Sequence, residues 1–108
     1  GGLSFPPPDA SVFGLTGADR DWVNRRQTPQ PFRLYQEALN FDPALVWAIP
    51  HSFIDCTNPP LPTIDAARKR VRSEPGWNVY ELATGHDPMV SAPRELAQLL
   101  LKVHSGCR

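Results

Sequence analysis

Glu81-Leu-Ala-Thr-Gly85-His86-Asp-Pro-Met89-Val-Ser-Ala-Pro-Arg-Glu-Leu96 is the stretch that decides the fold of this 108-residue chain. A β-rich apolar run ends at Ala83, and Gly85 then allows a tight turn that carries His86. From about Ala92 to His104, leucines and a valine recur on one helical stripe. The stretch therefore predicts a buried strand, a sharp loop bearing a histidine, and a final helix.

The residues upstream of this stretch predict a second strand and a helix. Ser52 to Thr57 is short, β-rich and closed by an Asn-Pro-Pro sequence, which is typical of a strand. Thr63 to Ser73 has helical spacing, and Trp77 to Ala83 is the strand that leads into the histidine loop. The predicted helix places apolar residues on one face and a solvated basic cluster largely opposite: Ile64, Ala67 and Val71 against Arg68, Lys69, Arg70 and Arg72.

Strand, helix and strand within about 30 residues form a βαβ unit, in which the two strands run parallel. Parallel sheets occur almost only within larger sheets that are covered on both faces. A two-stranded parallel sheet with one crossover helix cannot bury both of its faces. The fold class predicted is therefore α/β, a doubly wound sheet of which this chain holds one part.

The first half of the chain predicts less regular structure. Residues 1–17 are rich in proline, serine and glycine, which favours a flexible lead-in or, in a larger protein, a segment lying over a partner surface. Ala18 to Gln27 can form a short helix, which the prolines after it end. We divide the chain into residues 1–50, a lead-in, and residues 51–108, the βαβα part.

Composition excludes several classes of function. Eleven basic and 11 acidic side chains give no net charge, so nothing favours binding to nucleic acid or to an anionic membrane. No apolar run approaches the roughly 20 residues that span a bilayer. Cys56 and Cys107 are too few for a disulfide framework or a zinc site, and Cys56 reads as a reduced core thiol. We expect a cytoplasmic location, with no metal and no cofactor.

His86 is the candidate catalytic residue. In doubly wound sheets, catalytic groups gather at the carboxyl ends of the strands, and His86 follows such an end. Histidine suits general-base catalysis because its unperturbed pKa lies near neutral pH. The alternative is a loop histidine that caps the last helix or bonds to its first turn.

From about Asp19 onward, the chain resembles the C-terminal part of bacterial α/β-hydrolases related to the plant methylesterase and hydroxynitrile lyase group. The segments that carry the resemblance are Trp22–Pro31 (end of the helical cap), His51–Thr57 (penultimate core strand), and Pro75–Trp77 with Glu81–Met89 (last strand and histidine loop). The resemblance implies that residues 1–50 include a remnant of the cap and that His86 is the base of a Ser-His-acid triad. The chain contains no Gly-x-Ser-x-Gly sequence, so the nucleophilic serine is expected in a missing upstream half.

The acid of the triad is where this sequence departs from the resemblance. The plant relatives carry a carboxylate in the loop after the penultimate strand, and the nearest match here is Asn58. An asparagine can orient a histidine by hydrogen bonding, but it cannot stabilise the imidazolium by charge. Asp55 lies inside the predicted strand, and Asp87 reads as a turn former. The acid could also belong to the missing half.

Three further residues are candidates for substrate binding. Met89 and Val90 follow the histidine loop, where an apolar acyl or alcohol group would sit, although Val90 could equally pack against the last helix. Trp22 is assigned to the wall of the cap, with a purely structural role as the alternative. His51 and His104 have no partner signature and read as structural or exposed.

Three functions remain open on the sequence. The first is the C-terminal portion of a serine-type carboxylic-ester hydrolase that acts on a small, fairly apolar ester with the N-terminal half of the same enzyme as its partner. The second is a hydroxynitrile-lyase-like acid/base enzyme on the same fold. The third is a non-catalytic interaction module, favoured by the missing serine and by Asn58, and opposed by the retained His86.

Overall fold

A computed structural model describes residues 2–106 of the chain; Cys107 lies outside the described residues. The helices and strands alternate irregularly along the chain. In order they are β1 (Ser4–Phe5), a 3-10 helix (Ala10–Phe13), α1 (Gly17–Arg26), β2 (Gln30–Pro31), α2 (Arg33–Gln36), α3 (Pro43–Trp47), β3 (His51–Cys56), a 3-10 helix (Pro62–Ile64), α4 (Asp65–Ser73), β4 (Trp77–Leu82), α5 (Pro88–Ser91) and α6 (Pro93–Gly106).

The centre of the molecule is the predicted βαβ unit. β3 and β4 pair in parallel, in a register that runs from His51 opposite Trp77 to Cys56 opposite Leu82. α4 connects the two strands, and both strands begin or end within one residue of their predicted bounds. The predicted α/β character is confirmed as a mixed structure of helices and small sheets.

The basic side chains of α4 were predicted to form a solvated face, and that prediction is wrong for Arg68, whose side chain is only 11% exposed. Asp55 on β3 is only 4% exposed. Arg68 Nε lies 2.5 Å from its Oδ1, and Arg72 Nη2 lies 2.7 Å from its Oδ2. A buried carboxylate needs such partners because its desolvation is otherwise uncompensated. Arg70 remains on the exposed side, paired with Glu74.

The N-terminal segment is more ordered than its composition predicts. β1 pairs antiparallel with β2, and Ala10 and Leu15 are both buried. Asp9 caps the first 3-10 helix by accepting a hydrogen bond from the Ser11 N–H. The capped turn and the two buried apolar residues hold this segment against the rest of the fold.

Much apolar surface of the described residues stays in contact with solvent. The Cα radius of gyration is 16.2 Å, whereas a compact domain of this length has about 13 Å. The sheet of β3 and β4 has two strands and hence two unpaired edges. The exposed large apolar side chains between residues 32 and 50 are Phe32, Leu34, Tyr35, Leu39, Phe41, Leu45, Val46, Trp47 and Ile49. A surface of this kind is typical of a region that packs against another element of structure.

The predicted final helix is present as α6, whose bounds lie within two residues of the predicted ones. The short helix α5 precedes it, and Ala92, at φ −147° and ψ 57°, separates the two helices. Of the helices within residues 2–106, none has both the length and the apolar character needed to cross a membrane.

Candidate active site at the histidine loop

The histidine loop begins where the two parallel strands end side by side. Beyond Leu82 the pairing continues through loop contacts: the Thr57 N–H donates to the Leu82 carbonyl, and the Asn58 N–H donates to the Thr84 carbonyl, each at 3.0 Å. His86 follows two residues after Thr84. The structure therefore places His86 and Asn58 on adjacent loops at the carboxyl edge of the sheet, as the sequence predicts.

The N-terminal 3-10 turn meets this loop directly. The His86 N–H donates to the Phe13 carbonyl at 2.9 Å. The rings of Phe13 and His86 lie 5.8 Å apart between centroids. This contact was missed on the sequence, because nothing in the sequence identifies what residues 9–15 pack against.

The loop is also closed on its C-terminal side. The main-chain carbonyl of Asp87 accepts hydrogen bonds from the N–H groups of Val90 and Ser91. These are the first hydrogen bonds of α5. Thr84 Oγ1 and Ser91 Oγ lie 2.5 Å apart, so the two ends of the loop are joined. Within residues 2–106, these hydrogen bonds involve main-chain and hydroxyl groups of the loop and not the His86 ring.

The His86 side chain lines an apolar groove of about 340 Å³. β3 contributes lining residues to the groove and β4 contributes none. The groove therefore lies along the edge of β3 that has no neighbouring strand. Its lining residues are Phe53, Ile54, Cys56, Ile64, His86, Pro88, Met89, Leu96 and Leu100. The groove thus presents one imidazole among apolar side chains at an open edge of the sheet.

Trp22 and Met89 line a second cleft, of about 410 Å³, so the structure brings these two predicted binding residues together. Val90 lines the same cleft. The Arg26 guanidinium lies 4.2 Å from the centroid of the Trp22 ring, on which it stacks as a cation–π pair. Met89 lines both the cleft and the groove, and therefore joins the α1 wall to the histidine groove.

The carboxylate of Asp55 is paired with arginines of α4 and not with His86. Burial alone would raise the pKa of this carboxyl, but the hydrogen bonds from Arg72 and Arg68 outweigh burial and hold its pKa below the ordinary value of 3.8. The residue lies within β3, as the sequence predicts, and its two carboxylate oxygens bond to α4. Asp55 is therefore a structural ion-pair centre, and both of its oxygens are already engaged.

The other candidates for the acid differ in burial. Burial raises the pKa of Asp87, and the charge of the neighbouring His86 opposes the rise. Asn58 has an exposed side chain. Within residues 2–106, the side-chain hydrogen bonds near the loop bring no carboxylate to the His86 ring. Asn58 stays the predicted orienting residue by position alone.

Cys56 is a free, buried thiol that lines the same groove. Burial raises its pKa, and the negative charge of Asp55 adds to the rise. A thiol in this state is neutral near pH 7 and is a weak nucleophile. Cys56 therefore fits the role of a core residue, as the sequence predicts.

His51 is held away from this site. Its ring stacks on Trp47 at 4.6 Å and meets the edge of Trp77 at 4.9 Å. These contacts lie at the start of β3, the end of the strand opposite to His86. His51 therefore has a structural role, and His104 is exposed near the end of α6.

Comparison with known proteins finds similarity to an esterase. The chain is 33% identical over 99 residues to a carbendazim-hydrolysing esterase of Nocardioides sp. (strain SG-4G). The match covers 92% of this chain but 40% of that esterase, so the chain spans well under half the length of its relative. No family model matches the chain, and no solved structure matches it. The similarity supports a hydrolase-type function.

Proposed function

We propose that this chain is the C-terminal, histidine-bearing portion of a serine-type carboxylic-ester hydrolase with an α/β-hydrolase core. The observation that carries the proposal is the position of His86 at the carboxyl edge of parallel strands, lining an apolar groove. The likeness to an esterase adds to it. Neither metal nor cofactor takes part in the proposed chemistry.

His86 acts as the base of a triad. Its imidazole takes the proton of a serine hydroxyl as the serine oxygen attacks the carbonyl carbon of the ester. The same proton then goes to the departing alcohol, which leaves an acyl-enzyme. A water molecule then attacks the acyl carbon while His86 takes its proton, and His86 returns that proton to the serine oxygen as the acid is released.

An upstream half of the same hydrolase supplies the serine and the oxyanion-hole amides. Two observations support this partner. The groove beside His86 lies at the unpaired edge of β3, where a further strand would extend the parallel sheet. The exposed apolar side chains of residues 32–50 provide surface for the same partner to cover.

The substrate is a small, fairly apolar ester. The cleft of Trp22 and Met89 offers an aromatic face and a flexible thioether chain, which suit an apolar acyl or alcohol group. Met89 continues the same surface to His86. Asn58 is the proposed orienting residue for the imidazole unless the upstream half contributes a carboxylate.

Replacing Trp22 with alanine tests the binding role. The side chain is 45% exposed, so its loss from a substrate contact should cost about 1 kcal/mol, which is about a fivefold rise in KM with kcat nearly unchanged. Steady-state kinetics of the assembled enzyme with apolar esters measures both constants. Leu101→Ala, which shortens another exposed apolar side chain that lines neither the cleft nor the groove, is the control. A fall in kcat with unchanged KM would contradict the assignment.

Reconstitution tests the function itself. The chain is mixed with, or fused to, the part of the carbendazim-hydrolysing esterase that the match does not cover, and hydrolysis of p-nitrophenyl acetate and butyrate is followed. We expect turnover from the assembly and none from either part alone. Turnover by the 108-residue chain alone would overturn the proposal, as would an inactive assembly shown by size-exclusion chromatography to be a stable 1:1 complex.

A non-catalytic interaction module is the second candidate. The exposed asparagine at the position of the acid favours it, since Asn58 cannot stabilise an imidazolium by charge. An assembly that forms a stable complex, binds apolar esters and does not hydrolyse them would support this candidate over the first.

A further inference from the structure

We infer that the turn of residues 9–15 is a positioning device that sets the place and orientation of His86. This inference rests on the proposed role of His86 as a base. General-base catalysis requires the imidazole within hydrogen-bond reach of its proton donor, and a misplacement of about 1 Å can cost about a hundredfold in rate.

The turn contacts His86 through both main chain and side chain. The Phe13 carbonyl accepts the His86 N–H at 2.9 Å, which fixes the backbone of the residue that carries the imidazole. The Phe13 ring lies 5.8 Å from the imidazole, at an interplanar angle of 34°. The two contacts together restrict where the imidazole can point.

The contact depends on the absence of side chains on both sides. A Cβ built on Gly85 would lie 2.5 Å from the Phe13 oxygen and 3.3 Å from the Gly14 Cα. Gly14 has φ +84°, and a Cβ there would lie 2.8 Å from Pro59 and 3.3 Å from the Gly85 Cα. Two glycines therefore allow the two backbones to approach closely enough for the hydrogen bond to His86.

The turn is itself held by α1, the helix that carries Trp22. Asn24 Oδ1 accepts the Ala10 N–H at 2.8 Å, and Arg20 donates to both carboxylate oxygens of Asp9 at 2.7 and 2.9 Å. Leu15, which is 1% exposed, anchors the end of the turn. The turn of residues 9–15 thus connects α1, which carries Trp22, to the loop that carries His86.

The test is Gly85→Ala in the assembled enzyme. Because the new methyl group must displace the Phe13 carbonyl, we expect kcat to fall by about a hundredfold while KM changes by less than about threefold. The His86 amide should also lose protection against hydrogen exchange, as measured by NMR. Gly106→Ala is the matched control, because its Cβ would meet only the Tyr80 hydroxyl at an ordinary 3.6 Å.

Two further variants keep the test decisive if Gly85→Ala does not fold. Asn24→Ala loosens the turn from outside the loop, and should lower kcat several-fold and speed exchange of the His86 amide. Gly14→Ala should do the same more strongly. Its control is Gly76→Ala, which has a similar φ of +93° in open space, so that backbone strain is separated from the close approach.

Failure of this inference can be told from failure of the proposed function. If the wild-type assembly hydrolyses esters, and Gly85→Ala and Asn24→Ala both expose the His86 amide without lowering kcat, the positioning role is wrong. If the wild-type assembly is inactive, the proposed function fails, and the contact is judged by NMR. The inference is then overturned if neither variant changes the imidazole resonances or the Phe13–His86 ring contacts. It is supported if the variants change them.

Discussion

His86→Gln should lower the kcat of the assembled enzyme for ester hydrolysis by a factor of about 10⁴ to 10⁶. Glutamine occupies a similar volume and keeps a hydrogen-bonding group, but it cannot accept the serine proton near neutral pH. Loss of one member of a Ser-His-acid triad disables the unit as a whole and leaves only residual catalysis. The measurement is kcat with p-nitrophenyl esters, with assembly verified by size-exclusion chromatography.

His104→Gln is the matched control for this variant. His104 is exposed near the end of α6, away from the groove, so its replacement should leave kcat within about twofold of wild type. A His86→Gln enzyme that retains more than a tenth of the wild-type kcat would show that another group acts as the base.

Asp55→Asn should destabilise the fold by about 3 kcal/mol, a large part of the roughly 5–15 kcal/mol that stabilises a typical domain. The neutral amide would leave Arg68, whose side chain is 11% exposed, with the exposed carboxylate of Asp65 as its remaining ion-pair partner. Urea unfolding at low micromolar concentration, followed by tryptophan fluorescence, measures the change in the free energy of unfolding. Glu81→Gln is the control, because this exposed carboxylate bonds only to the half-exposed Arg72, at 3.1 Å.

The effect of Asp55 has a definite pH dependence. Because its pKa is lower in the folded chain than its ordinary value of 3.8, its contribution is complete above that value and is lost as the pH falls through the lowered pKa. The stability difference between wild type and Asp55→Asn should be constant from neutral pH to about pH 5 and shrink in stronger acid. A difference that grows on acidification would contradict the ion-pair assignment.

The βαβ unit was predictable because its signals are local. β-rich runs closed by proline and glycine mark β3 and β4, and the spacing of Val71 and its neighbours marks α4. The carboxyl-edge position of His86 follows from that topology. The ion pairs of Arg68 and Arg72 were not predictable. Helical periodicity shows which face of α4 they lie on, but not that they reach the buried carboxylate of Asp55 on β3.

The contact between the N-terminal turn and the histidine loop could not be predicted from local sequence patterns. Phe13 and His86 are far apart in the chain, and their approach depends on the missing side chains of Gly14 and Gly85. A composition rich in proline and glycine suggests flexibility, whereas here the glycines allow close packing. The triad acid remains a prediction, because the residue at the matching position is Asn58.

The central claim is that His86 of this chain activates a serine supplied by an upstream half. The most direct test is the rate at which a fluorophosphonate labels the upstream partner, measured with wild-type chain, with His86→Gln and without the chain. We predict rapid labelling of one partner serine with wild-type chain, and slow labelling in the other two samples. Equal labelling rates in all three, or phosphonate attached to a residue of this chain, would contradict the account.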